Sequence, residues 1–427
     1  MLKVLFHTVL FILFSHFIEA QGDLNYYINA AKQNSPLIND NQNQSKVSQL
    51  EVERLKAFYT KPQIGLTANY MFSPILNLDN STPTFEPNSA GATKYIGYDF
   101  AAANGGQYQA LLNITQPLLN GKKLKTATEQ ANIASQVNQN NVKLTGHDIE
   151  KLVTDQYILC LQDNKQTEYT KSMLDILAEQ KSIIQKLVSS SIYKQSDLTL
   201  VNIEHQNFLL QFTTYRATYK RDLMDLNIFC GINDTSLITL KNIDLKPNAS
   251  IQSSLFAEKY RLDSLNLIAS KNIFELKYKP QLNAVANTGL NAVYAPTIPN
   301  RFGINAGFSF TYNFFDGRQK YINRNKIDVL LKSISFYRNN FISLNTVRKT
   351  KILNELQSYV DRIAITQQQL KDYEALLSLY KKEIITGQLS IINYVTTLKN
   401  MATMQRDYTL LGTQQQLLIN AYNFWNW

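Results

Sequence analysis

The chain has 427 residues and a formal net charge of +10; 44% of its residues are hydrophobic, 11% aromatic and only 18% charged. That apolar share is too high for a disordered chain, two cysteines cannot build a disulfide framework, and four histidines leave little for metal sites or histidine-based catalysis. The 10 prolines avoid two long stretches, Leu118 to Lys246 and Asn300 to Trp427, of 129 and 128 residues.

The first twenty residues read as an address. Lys3 supplies a positive start, Val4 to Phe14 is mostly apolar, and Ile18-Glu19-Ala20 is a small-residue exit releasing Gln21. This predicts a secretory signal peptide over residues 1–20, too short for a membrane span; no Cys follows it, so a lipoprotein is not indicated. Cleavage would leave His147 and His205 as the only histidines. No later run approaches the ~20 apolar residues of a membrane helix.

Four segments then alternate in the manner of strands, at about 62–73, 107–118, 280–291 and 302–315. The clearest runs Phe302, Ile304, Ala306, Phe308, Phe310, Tyr312 and Phe314, interleaved with small or polar uncharged residues. Their length of roughly eleven residues matches a bilayer-crossing strand. The intervening stretches, around Pro74 to Gly106 and Tyr294 to Arg301, are polar and turn-rich. Four strands cannot close a barrel, and an open edge in lipid leaves backbone groups unsatisfied. In a membrane, several copies must therefore share one barrel, and three copies would supply twelve strands.

The two Pro-free blocks predict long helices. In the second, Ile352, Leu356, Tyr359, Ile363, Thr366, Leu370, Tyr373, Leu377, Tyr380 and Ile384 keep a 4-3 spacing, the seam of a coiled coil. Met173, Leu177, Gln180, Ile184 and Leu187 do the same in the first. A helix from Lys122 to Ser189 would be on the order of 100 Å long at ~1.5 Å per residue. Each block breaks once. Around Ser189-Ser190-Ser191 a return helix is expected, capped by Ser196 or Asp197; around Gly387 a left-handed helix end is expected, followed by a Ser390 cap. Both blocks thus fold as helical hairpins, at about 122–231 and 318–424. Cys160 and Cys230 fall on these helices and read as packing residues.

The chain also repeats. Lys61-Pro62-Gln63-Ile64 recurs as Lys279-Pro280-Gln281-Leu282, and Asn120-Gly121-Lys122 as Asp316-Gly317-Arg318, in the same order and each followed by a Pro-free block. The expected organisation is a first repeat over 21–245 and a second over 246–427. Each holds a short helical region, a strand hairpin and a long helical hairpin.

In this order and spacing the chain resembles the TolC-type outer-membrane efflux proteins of Gram-negative bacteria. Asn34-Ser35-Pro36 between two helices, Pro62-Gln63-Ile64 and Pro280-Gln281-Leu282 opening strands, and Asn120-Gly121 and Asp316-Gly317 closing them carry the resemblance. It implies a mainly α fold with a membrane β-barrel portion, a homotrimer with a twelve-stranded barrel in the outer membrane, and an α-helical tunnel in the periplasm. It also implies a passive exit duct of a tripartite efflux or type I secretion system. Its partners would be outer-membrane lipid, a periplasmic adaptor (membrane fusion) protein and an inner-membrane pump of the RND or ABC type. At the tips, the family's usual glycine of the first hairpin falls on Ser191, a departure that stiffens the turn; the second tip keeps Gly387. The two acidic residues that form a constricting, cation-binding ring in the best-known members fall on Asn393 and Thr396, both uncharged. Asp197 falls on an acidic tip position and stands as a polar gate or adaptor contact, or as a plain helix cap.

Other classes find less support. No phosphate-binding glycine loop is present, and His147 and His205 lack metal-ligand neighbours and read as solvent-facing, so no catalytic, cofactor or metal site is expected. Basic clusters at Lys122, Lys123 and Lys125 and at Arg318, Lys320, Arg324 and Lys326 suit anionic headgroups or cargo, or a solvated helix face. No base-reading motif appears, so nucleic-acid binding is not expected. An exported coiled-coil structural or adhesive protein would explain the heptads but not the duplicated amphipathic strands.

Overall fold

The computed structural model describes residues 22–87, 91–98, 106–249, 251 and 254–427; the signal segment expected over 1–20 lies outside the described residues. Helices α1 (Leu24–Asn34) and α2 (Pro36–Thr60) lead into strands β1 (Gln63–Phe72), β2 (Ile75–Asn77), β3 (Thr84–Glu86), β4 (Tyr95–Ile96) and β5 (Gly106–Leu118). The first long hairpin follows as α3 (Gly121–Ser189) and α4 (Gln195–Cys230). After an extended connector come α5 (Ala257–Glu275), β6 (Gln281–Ala292) and β7 (Phe302–Thr311). The second hairpin is α6 (Gln319–Ile385) and α7 (Ile391–Trp425). The chain is mainly helical. No helix among the described residues is long and apolar enough to cross a membrane.

Two compact units interleave along the sequence: the chain up to Asn43 with Gln139–Tyr260 and Phe336–Trp427, and Gln44–Asn138 with Arg261–Ser335. The second unit holds an antiparallel sheet in the order β1-β5-β6-β7, in which β5 pairs β6 from Tyr108↔Ala292 to Leu118↔Leu282. Among the described residues, strands β1 and β7 each pair on one side only, so both sheet edges are open. Side chains alternate across the sheet. Ile64, Leu66, Ile304, Phe308 and Phe310 share one face and are strongly exposed; Phe308 is 76% exposed and Leu66 74%. At Gly289, φ is +149° and a Cβ would lie 2.1 Å from the Ala110 carbonyl oxygen, so only glycine lets β6 approach β5 there.

Strand β7 ends at Thr311, short of the limit near 315 expected from alternation. Beyond it the Asn313 amide turns to the Lys277 carbonyl (2.8 Å), and an Asp316 oxygen accepts the Lys320 N–H (2.8 Å) at the start of α6. The segment after β1, read from sequence as loop, carries a small sheet in the order β3-β2-β4. Asp79 stabilises it by accepting the Thr93 N–H and hydroxyl and the Lys94 N–H. Of the two basic clusters, Arg324 forks onto Glu275 (2.6 and 2.9 Å), and Lys123 is buried, which lowers its pKa.

The first unit owes its order to helix seams. The 4-3 positions of α6 are its buried stripe: Ile352, Leu356, Thr366, Leu370, Leu377 and Ile384 are buried, and the Thr366 hydroxyl is satisfied by the Arg362 carbonyl (2.8 Å). Met173, Leu177, Gln180 and Ile184 are likewise buried on α3. Around Tyr27 and Tyr157 a second cluster packs α1, α3 and α4, with Cys160 and Cys230 inside it as free thiols. Burial pushes the Cys230 thiol up to about 12, so neither redox chemistry nor ligation is favoured there.

The connector after α4 is held by side-chain amides of α7 and of Asn426, the residue that caps it. Gln416 accepts the Leu245 N–H (2.8 Å); Asn423 accepts the Asn248 N–H (2.7 Å) and donates to the Lys246 carbonyl (2.9 Å). Asn426 accepts the Ile251 N–H (3.1 Å) and donates to the Ala249 carbonyl (2.8 Å). Carboxamides carry both a donor and an acceptor, so they can replace a missing strand partner. His147 corrects a reading from sequence. It does not face solvent but stacks between Phe424 (4.7 Å) and Trp427 (4.2 Å), bonded to the Phe424 carbonyl (3.0 Å). Burial lowers its pKa. His205 is half-exposed on α4.

Candidate functional site: the hairpin tips

Both long helices stop in the same way. At the end of α3 the Ile192 N–H bonds the Leu187 carbonyl (2.9 Å) and the Ser191 N–H the Val188 carbonyl (3.0 Å). At the end of α6 the Gln388 N–H bonds Glu383 (3.0 Å) and the Gly387 N–H bonds Ile384 (3.1 Å). Each is a Schellman end, whose penultimate residue takes the left-handed conformation. Gly387 does so at φ 72° and Ser191 at φ 60°. A serine there carries the Cβ crowding that glycine lacks.

The return helices start differently from the sequence expectation. The first cap is Lys194, not Ser196 or Asp197, and α4 begins at Gln195. Asp197 sits three residues inside, and its carboxylate accepts the Lys194 N–H (2.9 Å), the return arm of a capping box. Pattern reading found the right carboxylate but placed the cap too late. Ser196 is exposed. The second return helix begins after Ser390, whose side chain makes no cap bond. Asn393 and Thr396 lie one turn in, three residues apart on one exposed strip of α7.

Between these exposed positions the tip is tightly packed. Ile184, Ile384, Leu389, Ile391, Tyr394, Val395 and Leu398 are buried in one apolar cluster. Tyr193 crosses from the first tip to the second: its hydroxyl lies 2.7 Å from the Leu389 carbonyl oxygen and 3.3 Å from that of Ile384. Burial, and then the nearby Asp197 charge, raise its pKa, keeping the hydroxyl a donor. Ile192 closes against Gly387, where a Cβ would come within 2.8 Å of its Cγ2 atom. Glu179 and Lys381 pair across the hairpins at 3.5 Å.

The structure therefore brings Ser191 and Gly387 to facing turns and leaves Ser196, Asn393 and Thr396 on the surface. Sequence reasoning missed Tyr193 and Ile192, which follow a serine run with no periodic signal. Tyr394, fully buried with its hydroxyl unpartnered among the described residues, could have been found, because Ile391, Tyr394, Val395 and Leu398 keep helical spacing. Among the described residues no group of three or more His, Cys, Asp or Glu is placed to hold a metal ion.

No protein-family profile matches the sequence, and no curated protein does. Solved structures do. The CmeC outer membrane channel of Campylobacter jejuni is 12% identical at a TM-score of 0.68, covering 94% of this chain and 85% of that one. The outer membrane protein VceC of Vibrio cholerae is 13% identical at 0.68, covering 94% and 96%. The open-state MtrE outer membrane channel of Neisseria gonorrhoeae is 9% identical at 0.68, covering 95% and 89%. The chain shares the fold of these outer-membrane channel structures.

Proposed function

We propose that this chain forms the outer-membrane exit duct of a tripartite efflux or type I secretion system. Three copies would join edge to edge, β7 of one to β1 of the next, to give a twelve-stranded barrel continued by a helical tunnel in the periplasm. The observation that carries this reading is the sheet itself: four uncharged amphipathic strands, an exposed apolar face and two open edges. Such edges are tolerated in lipid only when another strand pairs with them. The heptad-bearing hairpins do not distinguish a duct from an adhesive coiled coil; the sheet favours the duct.

In this reading the tips meet a periplasmic adaptor, and through it a pump of the RND or ABC type drives transport that the duct itself does not power. Ser191, Ser196 and Asp197 at the first tip and Gly387, Asn393 and Thr396 at the second are the contact or constriction residues. With Asn393 and Thr396 neutral, the trimer would lack a carboxylate ring at this level, and multivalent cations should block it weakly. Purification from outer membranes as a trimer that conducts in planar bilayers is the expected result. A soluble, non-conducting monomer overturns the proposal, and strong block at low cation concentration overturns the assignment of Asn393 and Thr396.

A further inference from the structure

The face of the β1-β5-β6-β7 sheet opposite the apolar one is unusual in its chemistry. No residue of the four strands is Asp, Glu, Lys or Arg. Its polarity comes instead from amides arranged in register. Asn113 pairs with Asn287, and Asn287 with Asn305, so one row of asparagines crosses three adjacent strands. Asn305 donates to the Asn287 carboxamide oxygen at 3.2 Å, and Asn113 to the Thr67 hydroxyl at 2.8 Å. A second row joins Asn69, Gln109 and Asn291. On the edge strands, a Cβ at Gly65, Gly303 or Gly307 would meet nothing within 4 Å, so the surface beside these rows is open.

We infer that this face is a charge-free carboxamide lining, which passes anionic, cationic and neutral polar solutes alike. Any selection by charge falls to segments outside the four strands. The inference rests on the proposed channel, in which apolar residues face lipid and polar ones the lumen. Charge selection in a pore comes from rings of fixed charge. A carboxamide offers a donor and an acceptor together, so it solvates either sign and imposes little preference. The repeated rows also put any single substitution at Asn287 into a three-fold ring.

The test uses the full-length Asn287→Cys channel in planar bilayers, since the native Cys160 and Cys230 thiols are buried. It is modified with a cationic or an anionic methanethiosulfonate reagent, with Ala286→Cys, on the opposite face, as comparison. The cationic reagent on Asn287→Cys is expected to move the K+/Cl− permeability ratio about threefold or more toward chloride, and the anionic reagent to move it equally toward potassium. Ala286→Cys is expected to show neither change. A shift with only one reagent would reveal a resident charge field and overturn the inference. Conducting channels with no shift, or an equal shift at Ala286→Cys, overturn it too. Should Asn287→Cys fail to assemble, Asn305→Cys probes the same row. Absence of conductance in every form, the unsubstituted chain included, would instead sink the channel reading.

Discussion

The two helical hairpins share a length, a seam and a helix-ending motif, yet they differ in what they bury. The first, α3 and α4, encloses the carboxyl groups of Asp163 and Glu204 and turns on a serine. Among the described residues the second, α6 and α7, buries only neutral polar groups such as Asn345, Thr366 and Thr413, and turns on a glycine. A repeated architecture therefore does not imply a repeated response. The first hairpin carries buried carboxyl groups and a left-handed serine at its tip; the second, among the described residues, carries neither.

The largest effect should come from Asp163. Burial, reinforced by hydrogen bonding to Asp222 and by that residue's charge, pushes its carboxyl up to about 7, against a weaker pull from Arg221. Asp225 also lies nearby on α4, and Cys160 on α3. The folded state thus holds a proton that the unfolded chain releases near the ordinary carboxylate value, so stability falls as pH rises from about 4 to about 7. Asp163→Asn should flatten that decline and raise stability at pH 8 by about 1–3 kcal/mol, read by thermal unfolding across pH. An unchanged pH profile would remove the contrast between the hairpins.

Gly387→Ala comes next. It combines left-handed strain with the approach of Ile192, and should cost about 1–2 kcal/mol. The double variant with Ile192→Ala should regain the steric part alone, and simple additivity would show that the two turns do not press on one another. Tyr193→Phe should cost about 1 kcal/mol and speed hydrogen exchange in the turn before α7, because one bridging donor is lost. Protection unchanged by that substitution would mean the tips are held by packing alone. Ser191→Gly should have the smallest effect, a gain of about 0.5–1 kcal/mol as strain at φ 60° is relieved. A loss would show that the serine is favoured where it stands.

Much of this molecule was legible because its signals are periodic. The seam from Ile352 to Ile384 states the buried face of α6, and the alternation from Phe302 to Phe310 separates the apolar from the polar face of β7, both of them exposed. Gly387 announced its left-handed turn by being glycine in a glycine-poor chain. What stayed hidden depends on partners distant in sequence. His147 looked like a surface histidine because Phe424 on α7 and Trp427 just beyond it, which stack on it, lie far away in sequence. Lys194 became a cap only because Asp197 reached back to its N–H. Tyr193 draws its role from carbonyl groups on the opposite hairpin, and backbone acceptors leave no mark in a sequence.

The amide ladder of Gln416, Asn423 and Asn426 has a further consequence. Peptide groups of Leu245, Lys246, Asn248, Ala249 and Ile251 are bonded to side chains of α7 and of Asn426 at its end, in place of a neighbouring strand. The join between the halves is thus a docked segment whose position does not depend on tension from either end. Two polypeptides divided near Pro247 would retain the contacts that seat each flank. The gene could be split there and the halves co-produced, with reassembly limited by their meeting rather than by any lost bond.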